Sequence, residues 1–256
     1  MRSIPNMPVI ARITLTALLC LHSLCAWSAQ ATVAVAANFA PTLTALAASL
    51  ERQTGHHYRI ASGATGSLYA QIKNGAPFDL LLAADQLAPE LIERAGLSIA
   101  GTRLTYATGQ LVLWSSKPNR VDAQGAVLTS ANLGKLAYAN PKTAPYGAAA
   151  VAVLQRLGLR DALSQHMVQG ESVGQTLSFI ATGNADAGFV ALSQVLEGGQ
   201  LKSGSMWLVP QHLYPPIRQD AVLLRRGEHN AAALALLAAL RSEAGKALIQ
   251  AHGYQP

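Results

Sequence analysis

From Thr32 onward the chain alternates short apolar runs with stretches whose apolar residues recur every three or four positions, and no long linker or low-complexity tract interrupts the pattern. Short continuous apolar runs suit strands covered on both faces, and the longer spacing marks helices with one buried stripe. The runs predict strands at 32–36, 58–61, 78–84, 111–115, 136–139, 166–170, 187–191, 206–209 and 217–224. Helices are predicted at 41–53, 67–73, from about 87, from about 147 to 157, around 174–182, and at 230–240 and 244–251. The first of these carries Leu43, Leu46, Ala47 and Leu50 at helical spacing and stops near Gly55. Asp85 reads as the cap of the helix that begins near Leu87. Strands alternating with helices over most of the chain predict a parallel-rich α/β fold.

The first 29 residues do not fit this pattern. Arg2 and Arg12 precede an apolar stretch over 13–26, and small residues then offer a cut after Ser28, Ala29 or Ala31. That is the layout of a signal peptide, so the protein is expected to be exported and periplasmic. Both cysteines, Cys20 and Cys25, fall inside the segment, which leaves no disulfide or cysteine-based metal site for the mature chain. Leu24 ahead of Cys25 fits a lipoprotein cleavage poorly. No later stretch reaches eighteen uninterrupted apolar residues, as a membrane span requires.

Half of the residues are hydrophobic and 12% are charged, so a sizeable core is easily filled. Losing Arg2 and Arg12 takes the net charge from +6 to +4. The remaining basic residues are scattered, with Arg225-Arg226 the densest run, and nucleic-acid binding is not expected.

Four predicted helix entrances share one composition: Ala37-Asn38, Ala64-Thr65-Gly66-Ser67, Pro145-Tyr146-Gly147 and Ser172-Val173-Gly174. Each consists of small, hydroxylated or amide residues with no acidic side chain. A helix start leaves backbone N–H groups unpaired at the positive end of the helix dipole. In open α/β sheets such starts follow the carboxyl ends of strands, where ligands bind. Four of them together would form a neutral, donor-rich cage for an anion. Taken singly, Asn38, Thr65 and Ser172 read equally as ordinary caps, and Gly66 and Gly147 as turn glycines. It is the number of uncharged entrances that favours a site.

Enzymatic readings find little support. The histidines beyond the signal segment (His56, His57, His166, His212, His229 and His252) show no paired-ligand spacing and read as surface residues. Gly63-Ala64-Thr65-Gly66-Ser67 lacks the lysine of a phosphate loop, and no GxSxG or GxGxxG motif follows a strand. Asp79 and Asp85, six residues apart in one predicted strand, would share a face and form a carboxylate pair, unless Asp79 simply marks the strand entrance. No catalytic residue and no cofactor is expected.

Three segments, Val33 to Phe39, Gly75 to Gln86 and Gly183 to Gln194, resemble the periplasmic molybdate-binding proteins of ABC transporters, and the likeness continues in order from about Thr32 to Tyr254. The resemblance implies a two-lobed, type II periplasmic binding protein fold, each lobe a mixed sheet flanked by helices. The lobes would be 30–110 plus 209–256, and 111–208, with crossings near Gln110 and Val209. It also implies capture of molybdate or tungstate in the cleft by a monomer that delivers it to a membrane permease. Sulfate or another small oxyanion is the alternative ligand, and a secreted hydrolase of phosphate or sulfate esters the alternative class. Carried onto this chain, the family's anion contacts fall on Ala37, Asn38, Thr65, Tyr146 and Val173. They would touch the oxyanion's oxygens, not the metal itself. Ala37 and Val173 would act through backbone N–H, Asn38 and Thr65 through backbone and side chain, and Tyr146 through its N–H and its hydroxyl. Some members place a ligand tyrosine where Ala191 stands, so Tyr146 or Asn38 is expected to supply the missing donor.

Overall fold

The computed structural model describes residues 28–256. The segment read as a signal peptide, apart from Ser28 and Ala29, and both cysteines therefore lie outside the described residues.

Two five-stranded sheets organise the chain, each flanked by helices. The first contains β1 (Gln30–Ala36), β2 (His57–Gly63), β3 (Leu80–Leu82), β4 (Leu104–Gly109) and β12 (Ile217–Leu223), in the order β2-β1-β3-β12-β4. β1 pairs in parallel with β2 and β3, while β12 runs antiparallel to β3 and β4. The second contains β5 (Leu111–Ser115), β6 (Leu136–Ala139), β7 (Met167–Gly170), β8 (Ala187–Ala191) and β11 (Ser205–Leu208), in the order β11-β5-β8-β6-β7. Here β6 is parallel to β7 and β8, and β5 is antiparallel to β8 and β11. A small β9–β10 ribbon (Leu196–Glu197 and Gln200–Leu201) stands apart. Only Gln110 separates β4 from β5, so the chain leaves one sheet and enters the other within a single residue. It returns between β11 and β12. The architecture is two-lobed α/β.

The helices are α1 (Ala40–Thr54), α2 (Thr65–Lys73), α3 (Leu87–Arg94), α4 (Pro145–Arg156), α5 (Val173–Ala181), the single turn α6 (Leu192–Val195), α7 (Ala231–Arg241) and α8 (Glu243–Ala251). α1 shows why the sequence pattern works. Pro41 occupies its first turn, where no N–H is needed, and Thr42, Leu43, Leu46, Ala47 and Leu50 form its buried stripe. Gly55, at φ 72°, ends it in the left-handed conformation and donates its N–H to the Glu51 carbonyl at 2.9 Å. That stripe packs with Leu236, Leu237 and Leu240 of α7 against one face of the first sheet, and Leu68, Ile72 and Ile92 of α2 and α3 cover the other. Truncating one of these leucines to alanine costs about 2–5 kcal/mol.

The structure departs from the sequence reading at three places. β4 was not read from the sequence: Leu104–Gly109 is interrupted by Thr105 and Thr108 and lies at the sheet edge beside β12, with only a single bridge to Gln255 on its other side, so it lacks the continuous apolar run of a central strand. The run over 78–84 forms a strand only at Leu80–Leu82, which leaves Asp79 and Asp85 at its opposite ends. Asp79 accepts from the Thr32 N–H at 2.7 Å and pairs with Arg226 at 3.3 Å. Asp85 caps the Ala88 N–H at 2.9 Å, as expected of it. The two are no carboxylate pair. His252, read as a surface residue, is half-buried with its ring nitrogen 3.1 Å from the Thr42 hydroxyl.

Candidate functional site

Ala37, Asn38, Thr65, Tyr146 and Val173 come together around one small cavity, joined by Ala36, Gly63, Ala64, Ala84, Ala144 and Pro145. Its free volume is about 10 Å³, about the room that one water molecule takes. No charged side chain lines it. Three long helices begin at its wall: α2 at Thr65, α4 at Pro145 and α5 at Val173. None of α2, α4 and α5 has an acidic residue in its first turn to offset the positive end of its dipole. The wider groove outside, about 580 Å³, shares Ala84, Ala144 and Pro145 with the cavity and opens past Tyr69, Leu87 and Lys142.

The donors can be counted by asking which N–H groups are already spent. The N–H groups of Asn38, Thr65, Tyr146 and Val173 have no partner among the described residues. Ala37 differs from the expectation. Its N–H donates to the Gly63 carbonyl at 2.9 Å, continuing the β1–β2 ladder past its last pair, so Ala37 lines the cavity without a backbone donor to offer. Asn38 N–H takes that place in the first loop.

Thr65 is also committed on one side. Its Oγ1 accepts the Ala84 N–H at 2.9 Å, which leaves the hydroxyl proton as a donor toward the cavity it lines. At α5, Ser172 caps the helix by accepting the Gln175 N–H and so leaves Val173 N–H free. The Tyr146 hydroxyl, expected at the anion, instead meets the side-chain amide of Gln219 at 3.2 Å. Ala191 ends β8 fully buried and is not part of the cavity wall.

Behind Asn38 lies a buried polar network that the sequence reading missed. Asn38 Nδ2 is 2.9 Å from Gln219 Oε1 and 3.0 Å from the Tyr254 hydroxyl, and the hydroxyls of Tyr254 and Ser193 reach the Asn38 carbonyl at 2.9 and 3.0 Å. Tyr106 joins through Gln219. Burial holds the phenols of Tyr106, Tyr146 and Tyr254 above their ordinary pKa, so all three stay protonated through neutral pH. Nothing in the sequence singled out Gln219, which stands between Arg218 and Asp220 near the start of β12.

The two lobes meet around the cavity. Gly66 donates its N–H to the Thr143 carbonyl at 2.8 Å, and a side chain at 66 would lie 3.0 Å from the Thr143 Cα. At position 174 an added Cβ would stand 3.2 Å from that of Ala37. Glycine at these two positions permits close apposition of the lobes over the cavity.

A two-lobed fold with an uncharged, donor-lined cavity at helix starts defines a solute-binding protein. Over residues 31–255 the chain matches the family model described as bacterial extracellular solute-binding protein, and it belongs to that family. It is 52% identical over 229 residues to the molybdate-binding protein ModA of Azotobacter vinelandii, which spans 90% of this chain and 91% of that one. Identity to the molybdate-binding protein ModA of Rhodobacter capsulatus is 47% over 221 residues, 86% of each chain. The solved structure of the Azotobacter vinelandii periplasmic molybdate-binding protein superposes with a TM-score of 0.86 at 42% identity, covering 88% of this chain and 99% of that one.

Proposed function

We propose that this protein captures molybdate in the cavity between its lobes, in the periplasm, and hands it to an ABC transporter permease without making or breaking a bond. The observation that carries the reading is the convergence of four unspent N–H groups and the Thr65 hydroxyl on one uncharged cavity. Oxyanion oxygens only accept hydrogen bonds, and each bond to a charged partner contributes about 1.5–3 kcal/mol. A carboxylate in the wall would repel a dianion, and none is there. The names of the two relatives, at 52% and 47% identity, support molybdate as the ligand.

The contacts are Asn38, Thr65, Tyr146 and Val173, with Ala37 shaping the wall through its side chain. Tungstate, also a tetrahedral dianion, is a second ligand of the same site. The lobes are 30–110 with 209–256, and 111–208, hinged at Gln110 and near Val209. The anion favours closure because only the closed form presents donors from both lobes to it. The protein acts as a monomer, exported by the signal segment at 1–29.

Thermal melting of the mature protein tests this. A ligand at a hundred times its dissociation constant stabilises by about 2.7 kcal/mol. Molybdate and tungstate are expected to raise the melting temperature, sulfate less so, and phosphate and ester substrates not at all. Turnover of an ester with no shift from either metal oxyanion would overturn the reading in favour of a hydrolase.

A further inference from the structure

The protons owned by the network behind Asn38 decide how its amides are turned. A phenol has one proton, yet the Tyr106 hydroxyl faces two acceptors, the Ala83 carbonyl at 2.9 Å and Gln219 Oε1 at 3.0 Å. The Tyr146 hydroxyl faces Gln219 Nε2, a donor, and finds no acceptor for its own proton among the described residues. Asn38 turns Nδ2 toward Gln219 and Tyr254, and its Oδ1 is buried with no donor. Asn38 itself is 1% exposed.

A half-turn of both amides exchanges nitrogen and oxygen at the same positions and resolves the conflicts at Tyr106 and Tyr146, while it turns two acceptors, Asn38 Oδ1 and the Asn38 carbonyl, toward the single proton of Tyr254. Tyr106 then donates to Ala83 and accepts from Gln219 Nε2. The same Nε2 donates its second proton to Asn38 Oδ1. Tyr146 donates to Gln219 Oε1, and the hydroxyls of Tyr254 and Ser193 divide their protons between Asn38 Oδ1 and the Asn38 carbonyl. Every partner distance is retained. Asn38 Nδ2 moves to the end of the amide that faces away from Gln219 and Tyr254. Asn38 lines the cavity, and its Nδ2 then takes the place of the buried, unpartnered Oδ1.

We propose that Gln219 is a positioning residue that turns Asn38 so that Nδ2, not Oδ1, faces the bound anion. Asn38 then adds two N–H donors to the cage, which takes the role expected of a side chain at position 191. Gln219 also sets specificity. An amide oxygen in the wall would accept the proton of a hydrogen-carrying anion such as monohydrogen phosphate, whereas an amide nitrogen rejects that anion and favours fully deprotonated molybdate or tungstate.

This inference rests on the anion-binding reading, and its test separates the two. In ¹⁵N-labelled wild-type protein, the Asn38 side-chain NH₂ signals should shift strongly on molybdate addition, while those of Gln219 move little. In Gln219→Glu an acceptor-only carboxylate holds Asn38 by its Nδ2 and leaves Oδ1 toward the cavity. The added charge weakens both dianions alike at pH 8, but the ratio of phosphate to molybdate affinity should rise by about tenfold or more, a tenfold change being about 1.4 kcal/mol. Gln219→Met, neutral and without hydrogen bonds, should weaken molybdate with a smaller change in that ratio. Molybdate binding that leaves the Asn38 NH₂ signals unmoved would overturn the positioning role even if the variants failed to fold, as would an unchanged ratio in folded Gln219→Glu. Absence of any molybdate binding by the wild type would instead overturn the ligand assignment.

Discussion

Ser193 Oγ, on α6 beside the second sheet, donates to the carbonyl of Asn38, in the loop after β1 of the first, at 3.0 Å. The bond joins the two lobes next to the cavity, and both residues are buried. A buried hydrogen bond contributes about 0.5–1.5 kcal/mol net, and this one is expected to break when the lobes part. Ser193→Ala should therefore weaken molybdate binding by a few-fold, mainly by faster release. Stopped-flow dissociation and calorimetric titration would check this; an unchanged dissociation rate would show that the bond does not hold the lobes together.

Thr65 separates hydroxyl from shape. Thr65→Ser keeps the acceptor for the Ala84 N–H and the donor toward the cavity, so affinity should stay within a few-fold of wild type. Thr65→Val removes both. It strands a buried N–H, costing about 1–3 kcal/mol of stability, and a charge-assisted bond to the ligand, lowering affinity by about tenfold or more. Paired denaturant unfolding and titration of the two variants measure these effects independently.

At Gly66 the prediction is a change in binding with little change in fold. A valine there would push against the Thr143 backbone, which belongs to the other lobe, and open the cleft. Overpacking of this kind costs about 1–3 kcal/mol, here charged to the closed state alone. Molybdate affinity should fall by about tenfold or more while the melting temperature without ligand shifts little. Equal losses in both would place the strain inside one lobe instead of between the two.

Asp85 gives a pH dependence. Burial raises its pKa, outweighing the Ala88 N–H that it caps, with the Asp220 charge acting in the same direction as burial. A carboxyl with a raised folded pKa contributes stability that is complete below its unfolded value and is lost as pH rises through its folded one. Asp85→Asn keeps an N-cap acceptor and removes the titration. The melting temperature of the variant relative to wild type should therefore increase as pH goes from the carboxylate range to neutrality. A difference that is flat with pH would mean that Asp85 ionises in the folded protein as freely as in the unfolded one.

Much of the fold was legible because the signals are local. The α1 stripe, its proline start and its Gly55 stop all lie within sixteen residues of one another, and the buried strand β5 is a single apolar run. β4 escaped because an edge strand buries less and needs no continuous apolar run. The shortened β3 escaped because where pairing stops depends on its neighbours β1 and β12.

By itself, the sequence determined that several helices begin with uncharged, short residues, since cap chemistry and the lack of acidic side chains are properties of four or five adjacent positions. It determined as well that the chain alternates strand and helix. Only the tertiary structure decided which donors remain to bind anything. Ala37 N–H is spent on Gly63 because β2 lies beside β1, and Tyr146 turns its hydroxyl to Gln219 because α4 packs near β12. Hydrogen-bond capacity is finite and is claimed by partners up to 216 positions away in the chain, as between Asn38 and Tyr254, so its balance at the cavity cannot be read residue by residue.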